Sequence, residues 1–477
     1  MSIDLSLDRI KRLYCFIPPY TRPTIHIAGT NGKGSVSALT SSILTAAGLR
    51  VGRFNSPHLV SIYDCIYVNH EPVSQQTFHA AREEVERIAR DQHIEVSSFE
   101  MLVLTAFIIF ERAAVEFVVM EVGMGGRLDA TNVIPDEFVL VSALTAVDLD
   151  HQAFLGNTVA AITKEKASIA RRGKPFVLGP QKHPEVADVA RKVVQEVGGD
   201  FFSASTAFQV PLDERIQPNS THSPFQPPPP TSIELLIPCF EDPVRASFPL
   251  HGSHQLDNVG LSALIISVAI THPACSSLGL CDRITPEIIA RGLASVSWPG
   301  RLSFHSIHSD LHDPTSSKLL VLADGAHNPA SSAMLSNYLS EYCNSSFTAN
   351  ESITLTYILA LSHSPPKTPL QTLSPLLPAT LSPKLAVKHR VAVLRFTPPE
   401  GMPWVKSVAP SVLCSVVRDL CPTAELWAGD DGKTNDLPAA LKWAANSSGP
   451  HLVVVAGSLY LVADFYRILR RVESEIQ

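Results

Sequence analysis

Short apolar runs that alternate with helix-like segments are the feature that most limits how this chain can fold. The runs at 115–123 (VEFVVMEVG) and 138–147 (FVLVSALTAV) are almost continuously apolar and rich in β-branched residues. Such runs suit strands that are buried on both faces of a parallel sheet. Helix-like segments such as 35–48 and 157–173 lie beside them in the chain. The alternation predicts a doubly wound α/β domain.

A second alternation follows residue 300. Its strand candidates are residues 318–327, 353–361, 390–396 and 451–457. We therefore expect a domain boundary near residue 300, with domains at 1–299 and 300–477. The Pro-rich stretch 216–232 is interpreted as a surface insertion, and 308–317 as a polar loop.

Composition excludes several classes of protein. The chain has 477 residues, 45% of them hydrophobic, and a formal net charge of -7. A weakly acidic chain with no basic run is a poor candidate for binding nucleic acid. No apolar run reaches membrane-spanning length, and the N-terminus resembles neither a signal peptide nor a mitochondrial leader. We expect a cytoplasmic monomer whose eight scattered cysteines stay reduced.

The stretch HIAGTNGKGS, residues 26–35, keeps the parts of a phosphate-binding loop but not its usual spacing. Its first glycine is Gly29 rather than residue 27, and Gly34 separates Lys33 from the hydroxyl of Ser35. Lys33 can still reach phosphates, and Ser35 can bind Mg²⁺ at a helix N-terminus. The alternative is a tight turn with a stray lysine. The strand–loop–helix context favours nucleotide binding, and no base-reading motif of a GTPase is present.

Polar side chains near other predicted strand ends support this interpretation. Glu121 ends a buried strand and can hold Mg²⁺, and His151 follows the next strand. Asp129 is as well explained as an N-cap as a ligand contact. Lys166 lies on a helix and would ordinarily be solvated. Loop chemistry alone could account for two further residues, Ser56 and His58. The pair Gln255 and Asn258 either contacts a base or caps a helix.

The motifs GTNGKGS, SPHL, EVGMGGRLDATN, LDH, LGNT, KEKASI, HQLDN, WPGRL and DGAHN occur in this order. Together they resemble the folylpolyglutamate synthetase and dihydrofolate synthetase branch of the Mur ligase superfamily, over residues 8 to 470. The resemblance implies an N-terminal P-loop ATPase domain with a mostly parallel sheet and a C-terminal Rossmann-like α/β domain. It also implies an ATP-dependent amide ligase that makes an acyl phosphate, which L-glutamate then attacks.

The resemblance assigns roles by motif. ATP would be bound by Gly29, Thr30, Asn31, Gly32, Lys33, Gly34, Ser35, Gln255, Asn258, Arg301, Asp324 and His327. Two Mg²⁺ sites would use Ser35, Ser56, Glu121 and His151, and the family leaves room for a monovalent cation. Lys166 matches a lysine that is carbamylated in the family, so that Lys33, Glu121, His151 and Lys166 form the expected catalytic set. Substrate would contact Asp129 and His58, whereas Lys367 is a weak candidate for glutamate binding.

The choice between the two synthetases depends on local similarity. The stretches EGMPW (400–404) and VVVAGSLYLVADF (453–465) look like those of fungal dihydrofolate synthetases. They favour addition of the first glutamate to dihydropteroate, in folate biosynthesis. Polyglutamation of folates, alone or in a bifunctional enzyme, is the alternative. A non-catalytic nucleotide-binding protein would not need the two metal sites. A cell-wall ligase would need a further domain before the loop.

Overall fold

The computed structural model describes residues 6–210, 227–310, 313, 315–316, 318–346, 352–363, 367–378, 386–399, 405–434, 436–447 and 449–476. These residues form two compact units. The first contains the described residues of Met1–Pro211, Thr231–Pro249 and Ser253–Ser297. The second contains those of Leu212–Pro230, Leu250–Gly252 and Trp298–Gln477.

The first unit alternates strands and helices along most of its length. Its strands are β1 (Thr24–Ala28), β2 (Val51–Phe54), β3 (Ile66–Val68), β4 (Glu71–Pro72), β5 (Phe117–Glu121), β6 (Val139–Leu144), β7 (Pro175–Leu178), β8 (Asp200–Ser203), β9 (Phe208–Gln209), β10 (Thr231–Leu235) and β11 (Val244–Phe248). Its helices are α1 (Asp8–Tyr14), α2 (Lys33–Ala46), α3 (Gln75–Asp91), α4 (Ser98–Arg112), α5 (Gln152–Leu155), α6 (Val159–Ala167), α7 (Glu185–Val197), α8 (His254–Thr271) and α9 (Pro286–Ala294).

The main sheet of this unit has the strand order β4-β3-β2-β5-β1-β6-β7-β8. All neighbours from β2 to β8 pair in parallel, and β3 and β4 are antiparallel additions at one edge. Strands β1, β5 and β6 are buried at every position. Burial on both faces of the sheet therefore explains their continuous apolar runs, as the sequence predicted.

Helices cover both faces of the main sheet. One face carries Thr24, His26 and Ala28 of β1, and α3, α4, α6 and α7 contribute to the cores on this side. Helix α2 contacts β1, β2 and β5, and α8 contacts β6 and β7. Successive strand residues point to opposite faces, so β1 lies between two apolar layers. This arrangement confirms the predicted α/β class.

Some predicted elements differ from the structure in extent. Helix α2 begins at Lys33, two residues before the predicted start, because the loop turns directly into it. The helix predicted over 157–173 ends at Ala167, since the chain then leaves α6 through Ser168 to reach β7. The predicted insertion at 216–232 lies outside the described residues up to 226. At its end, β10 begins at Thr231 and pairs with β9 and β11 in a small antiparallel sheet.

The second unit is also an α/β structure. Its strands are β12 (Ser303–His308), β13 (Lys318–Ala323), β14 (Ser352–Leu359), β15 (Ala386–Val393), β16 (Glu425–Ala428) and β17 (His451–Ala456), and its helices are α10 (Pro329–Ser346), α11 (Pro369–Leu373), α12 (Pro410–Leu420), α13 (Leu437–Ala445) and α14 (Leu459–Ile476). The strand order is β12-β13-β17-β14-β15-β16, with only β12 antiparallel to its neighbour. The four strands predicted for this region are present, whereas β12 and β16 were not predicted.

Within the part of the chain that the structure describes, no helix is both long enough and apolar enough to cross a membrane.

Helices α2 and α9 approach closely at Gly292, and this contact is testable. A Cβ at Gly292 would lie 2.6 Å from Cα of Ile43, so that backbone would have to move. We expect Gly292→Ala to lower the free energy of unfolding by about 1–3 kcal/mol. The control Ala294→Ser adds one atom at an exposed site of the same helix and should change it by less than about 0.5 kcal/mol. Equal urea midpoints for the two variants would contradict this packing.

Candidate active site

The loop between β1 and α2 passes too close to its neighbours for a side chain at two positions. A Cβ at Gly29 would lie 1.8 Å from Oγ1 of Thr145, and Gly29 has φ of 151°. A Cβ at Gly32 would lie 2.4 Å from Oδ1 of Asn258, and Gly32 has φ of 92°. Glycine is required at both positions by space as well as by backbone conformation. The displaced glycine that made the motif irregular is therefore a packing requirement of this loop.

The segment after β6 holds the loop in place. The amides of Thr30 and Asn31 both donate to the carbonyl of Ala146, at 2.9 and 3.1 Å. The hydroxyl of Thr145 donates to the carbonyl of Asn31 at 2.7 Å. The amides of Thr30 and Asn31 are thus used to anchor the loop, and the contact of these two residues with ATP stays a prediction of the family resemblance.

Three other amides lie at the start of α2. The first hydrogen bond of α2 runs from the amide of Val36 to the carbonyl of Gly32, at 2.9 Å. The amides of Lys33, Gly34 and Ser35 precede it, in the first turn, where N–H groups have no acceptor within the helix. Such a helix start favours an anion.

Two lysines converge on the carbonyl of Gly29. Nζ of Lys33 donates to it at 3.2 Å and to the carbonyl of Thr30 at 3.3 Å. Nζ of Lys166, from α6, donates to the same Gly29 carbonyl at 2.9 Å. Burial lowers the pKa of Lys166 to about 7, and the positive charge of Lys33 adds to the effect. Lys166 is therefore not the solvated lysine that its helical position suggested. It is 3% exposed and faces the loop.

Glu121 supplies the negative charge beside the loop. Its carboxylate lies 3.9 Å from Nζ of Lys33 and accepts a hydrogen bond of 2.8 Å from the side-chain amide of Asn55. The side-chain oxygen of Asn55 is buried and has no hydrogen-bond partner among the described residues. The free side-chain oxygen of Asn55 and the carboxylate of Glu121 are both oxygen ligands of the kind that Mg²⁺ binds. Mg²⁺ usually keeps several water ligands in addition. The residues present therefore fit a Mg²⁺ ion.

The other predicted metal ligands differ in exposure. Ser35 is buried at the start of α2, and Ser56 is half-buried directly after Asn55. His151 is about half exposed, and its Nε2 lies 3.7 Å from the carboxylate of Asp150. Across the described residues, no three His, Cys, Asp or Glu side chains are grouped so as to hold a metal. The neighbouring oxygen that the structure places beside the carboxylate of Glu121 is the neutral side-chain oxygen of Asn55.

Asp129 caps the short 3-10 turn Ala130–Val133. One of its oxygens accepts from the amide of Thr131 at 3.0 Å and from the hydroxyl of Thr131 at 2.5 Å. The other accepts from the amide of Met124 at 2.8 Å. Burial raises the pKa of Asp129, and these hydrogen bonds oppose the rise. The contacts are those of the capping residue that the sequence left as one alternative. His58, the other predicted substrate residue, is also buried, directly after Ser56 and Pro57.

The two polar residues of α8 lie against the phosphate loop. Asn258 donates its side-chain amide to the side-chain oxygen of Gln255 at 2.9 Å, and both residues are buried. Gln255 in turn donates to the hydroxyl of Ser35 at 3.4 Å. The contact of Asn258 with Gly32 completes this junction. The pair therefore contacts the loop at Ser35 and Gly32 and does not act as a side-chain cap of α8.

The predicted residues of the second unit are also brought together. Asp324 accepts from the amides of Leu302 and Ala326, each at 2.8 Å. A Cβ at Gly325 would lie 2.5 Å from a terminal nitrogen of Arg301, so this guanidinium crosses the loop after β13. The guanidinium also lowers the pKa of Asp324, whereas burial, the larger influence, raises it.

His327 and Lys367 lie on the same side of this unit. Nδ1 of His327 is 2.9 Å from the carbonyl of Gly325. Nζ of Lys367 donates to the carbonyl of His327 at 3.4 Å. Arg301, Asp324 and His327 thus surround one loop, and Lys367, a weak candidate from sequence, contacts the same loop.

Sequence reasoning missed two residues of the first unit. Asn55 follows β2 and contacts Glu121, while Thr145 follows β6 and contacts the phosphate loop. Both come directly after buried parallel strands, whose carboxyl ends meet at one edge of the sheet. Their position next to a predicted strand end was a signal that could have identified them.

The lowered pKa of Lys166 predicts a specific dependence of stability on pH. Between pH 7 and the ordinary lysine value of 10.5, Lys166 is neutral when folded and protonated when unfolded. Unfolding therefore takes up a proton, so the free energy of unfolding rises with pH in this window. This gain in stability is lost as the pH falls towards 7. In CO₂-free buffer, the unfolding free energy of wild type relative to Lys166→Met should increase between about pH 7 and 9.5. The exposed Lys164 provides the control Lys164→Met, for which the difference should stay flat. A flat difference for Lys166→Met as well would contradict a neutral Lys166.

Comparison with known proteins identifies the family. A family model described as "Dihydrofolate synthetase, C-terminal domain" matches residues 307–468. The dihydrofolate synthetase of Saccharomyces cerevisiae is 32% identical over 474 residues, which cover 98% of each chain. A probable dihydrofolate synthetase of Schizosaccharomyces pombe is 29% identical and covers 98% of this chain and 99% of its own.

A solved structure gives the same assignment. Folylpolyglutamate synthase of Mycobacterium tuberculosis, complexed with ADP, aligns with a TM-score of 0.72 and 26% identity. The alignment covers 98% of this chain and 95% of that chain. The resemblance inferred from the motifs is confirmed over almost the whole length. The chain belongs to the dihydrofolate synthetase and folylpolyglutamate synthase family.

Proposed function

We propose that this protein is a dihydrofolate synthase, which uses ATP to join L-glutamate to 7,8-dihydropteroate and releases dihydrofolate, ADP and phosphate. The observation that carries the proposal is the group formed by Lys33, Lys166 and Glu121 around the loop at Gly29. This group combines the cation of Lys33, for phosphate, with the carboxylate of Glu121, for Mg²⁺, and places the nearly neutral Lys166 beside them. Family membership supplies the reaction in which such a group is used.

Nucleotide binding begins at the phosphate loop. Lys33 donates to loop carbonyls and faces Glu121. A bound triphosphate offers stronger acceptors, and Lys33 would turn to its β- and γ-phosphates. The amides at the start of α2 would bind the same phosphates. Gln255 and Asn258 would support the loop through their contacts with Ser35 and Gly32. The ADP complex of the Mycobacterium tuberculosis relative supports a nucleotide ligand for a chain of this fold.

Glu121 and the hydroxyl of Ser35 would hold Mg²⁺, with phosphate oxygens and water as the remaining ligands. When bound, the ion would neutralise charge on the transferred phosphoryl group. Asn55 would keep the carboxylate of Glu121 in place through its hydrogen bond. A second Mg²⁺ site with Ser56 and His151, and a monovalent cation, remain predictions of the family resemblance.

The chemistry proceeds in two steps. An oxygen of the dihydropteroate carboxylate attacks the γ-phosphorus of ATP, which gives an acyl phosphate and ADP. The amine of L-glutamate then attacks the acyl carbon, and phosphate leaves as the amide forms. The chain mainly orients the reactants and neutralises charge. Lys166, close to neutral because it is buried, is also suited to react with CO₂ and to become the carbamate expected for the family.

The second unit would complete the reaction. Arg301, Asp324 and His327 surround one loop in that unit and are proposed to contact ATP. Lys367, which contacts the carbonyl of His327, is proposed for the glutamate side. The domains 1–299 and 300–477 are proposed as the nucleotide-binding and glutamate-ligase parts. A monomeric state and a cytoplasmic location are proposed with them.

Addition of the first glutamate is preferred to polyglutamation. The two yeast relatives that match over nearly the full length are both named dihydrofolate synthetases. The matching family model also carries that description. The roles of Asp129 and His58 towards the pteroate are proposed on the family motif, since the contacts of Asp129 are those of a cap.

A substrate competition tests the proposed function. Purified protein with Mg-ATP should produce ADP over many turnovers only when both dihydropteroate and L-glutamate are present. The ratio kcat/KM should be at least about tenfold higher for dihydropteroate than for tetrahydrofolate monoglutamate, which corresponds to about 1.4 kcal/mol of transition-state stabilisation. Equal or better turnover of the monoglutamate would replace the assignment by polyglutamation.

The proposed role of Glu121 has a matched test. Glu121→Gln keeps the shape but removes the charge that would hold Mg²⁺, so we expect kcat/KM to fall about a hundredfold or more. Glu137→Gln changes an exposed carboxylate and should leave activity unchanged. Binding of Mn²⁺ to protein and ADP, followed by electron paramagnetic resonance, should weaken only in the first variant. Unchanged Mn²⁺ binding in Glu121→Gln would remove Glu121 from the metal site.

A further inference from the structure

A buried chain of hydrogen bonds links β1 to the loop that follows Glu121. His26 lies in β1, three residues before Gly29, and is fully buried. Its Nε2 is 2.8 Å from the hydroxyl oxygen of Thr131, which is also fully buried. That hydroxyl is 2.5 Å from a carboxylate oxygen of Asp129. Nothing in the proposed reaction uses His26 directly.

The directions of these hydrogen bonds follow from the donors available. Asp129 accepts from the amides of Thr131 and Met124, so its carboxylate acts as an acceptor on both oxygens. The single hydroxyl proton of Thr131 is then donated to Asp129. The oxygen of Thr131 can only accept from His26, so Nε2 of His26 carries a proton.

The other ring nitrogen of His26 defines its charge. Nδ1 is buried and has no hydrogen-bond partner among the residues that the structure describes. A protonated Nδ1 would bury an N–H group without an acceptor, which is costly. Burial lowers the pKa of His26 to about 3, and the nearby positive charge of Arg171 contributes. His26 is therefore a neutral imidazole with its proton on Nε2.

The chain of hydrogen bonds ends on a loop of the candidate active site. Residues 122–129 follow Glu121, and Asp129 holds the amide of Met124 in this loop. A Cβ at Gly126 would lie 2.8 Å from the carbonyl of Lys166, so the same loop also contacts α6. The loop 122–129 is thus held on one side by hydrogen bonds that begin at His26 in β1. On its other side it contacts Lys166, which faces Gly29.

We propose that His26 is a positioning residue, which donates from Nε2 to Thr131 and thereby orients Asp129 and the loop 122–129 towards the pteroate substrate. This inference rests on the proposed function for its substrate. The hydrogen bonds of His26 hold the loop 122–129, whereas the phosphate loop is anchored independently by Ala146 and Thr145. A change at His26 is therefore expected to affect substrate binding and nucleotide binding differently. Disturbing His26 should therefore weaken the pteroate more than ATP.

Two pairs of variants test the role of the hydrogen bonds. His26→Leu removes the donor, whereas His26→Gln keeps an N–H group at a similar reach. Thr131→Val removes the hydroxyl with little change of shape, whereas Thr131→Ser keeps it. The KM for dihydropteroate should rise about tenfold in the Leu and Val variants, the effect of one lost buried hydrogen bond. It should stay near the wild-type value in the Gln and Ser variants, with the KM for ATP unchanged in all four.

Two outcomes of the kinetic test would overturn the proposal. One is an equal KM for dihydropteroate in the donor-keeping and donor-lacking variants. The other is a parallel rise of the KM for ATP, which would indicate a general structural role.

A measurement on the wild-type protein tests the proposal even if the variants fail to fold, and it does not require ligase activity. In protein labelled with ¹⁵N in its 18 histidines, the His26 signal is the one absent from His26→Gln. If that variant does not fold, the buried ring is identified by its contact to labelled Thr131. The signal should show a neutral ring with the proton on Nε2 between about pH 5 and 8. A ring protonated on Nδ1 would overturn the proposal. Absence of dihydropteroate ligation with the expected ring state would count against the proposed function alone.

Discussion

The shared use of one carbonyl group by two lysines is the interaction on which the candidate site depends. Lys33 from α2 and Lys166 from α6 both donate to the carbonyl of Gly29. Burial and, to a smaller extent, repulsion from the half-buried Lys33 both disfavour an ammonium group on Lys166. Lys166 responds with a pKa lowered to about 7, and Glu121 partly balances Lys33. The ammonium group of Lys33 and the N–H groups at the start of α2 are the groups that favour an anion here, and a bound triphosphate would be such an anion.

The position of β1 makes this convergence possible. Because β1 lies between β5 and β6, its carboxyl end is flanked by Glu121 on one side and Thr145 on the other. Parallel strands bring their carboxyl ends to one edge, where a crevice forms beside the strand at which the order changes direction. The second unit repeats this principle, since its loop with Asp324 follows β13 of a mostly parallel sheet. In both units, sheet topology places residues that are distant in sequence around one loop.

Features that are encoded by residues adjacent in the chain could be predicted from the sequence, whereas contacts between distant segments could not. Strands β5 and β6 were predicted because burial on both faces requires continuous apolar runs. The phosphate loop was recognised because its glycines and lysine are adjacent in the chain. The antiparallel strands β9–β11 were missed. Strand β9 has only two residues, and β10 begins inside the Pro-rich stretch that was interpreted as an insertion. The anchoring of Thr30 and Asn31 by Ala146 was also missed, because it depends on a contact between segments over a hundred residues apart.

The cap at Asp129 shows a different limit. Its sequence context allowed both an N-cap and a ligand contact, and the hydrogen bonds to Thr131 and Met124 show the cap. The two roles need not exclude each other, because a carboxylate can accept more than three hydrogen bonds. The buried partner His26 could not be inferred from the motif, since its contact with Thr131 spans 105 positions.

Transfer of oxygen from the substrate carboxylate to phosphate tests the central claim most directly. Dihydropteroate labelled with ¹⁸O in its carboxylate would be turned over with unlabelled Mg-ATP and L-glutamate, and the released phosphate analysed by mass. If ATP activates the carboxylate as an acyl phosphate, each phosphate carries one labelled oxygen, because the bridging oxygen leaves with it. Unlabelled phosphate, formed together with dihydrofolate, would contradict this account of the site.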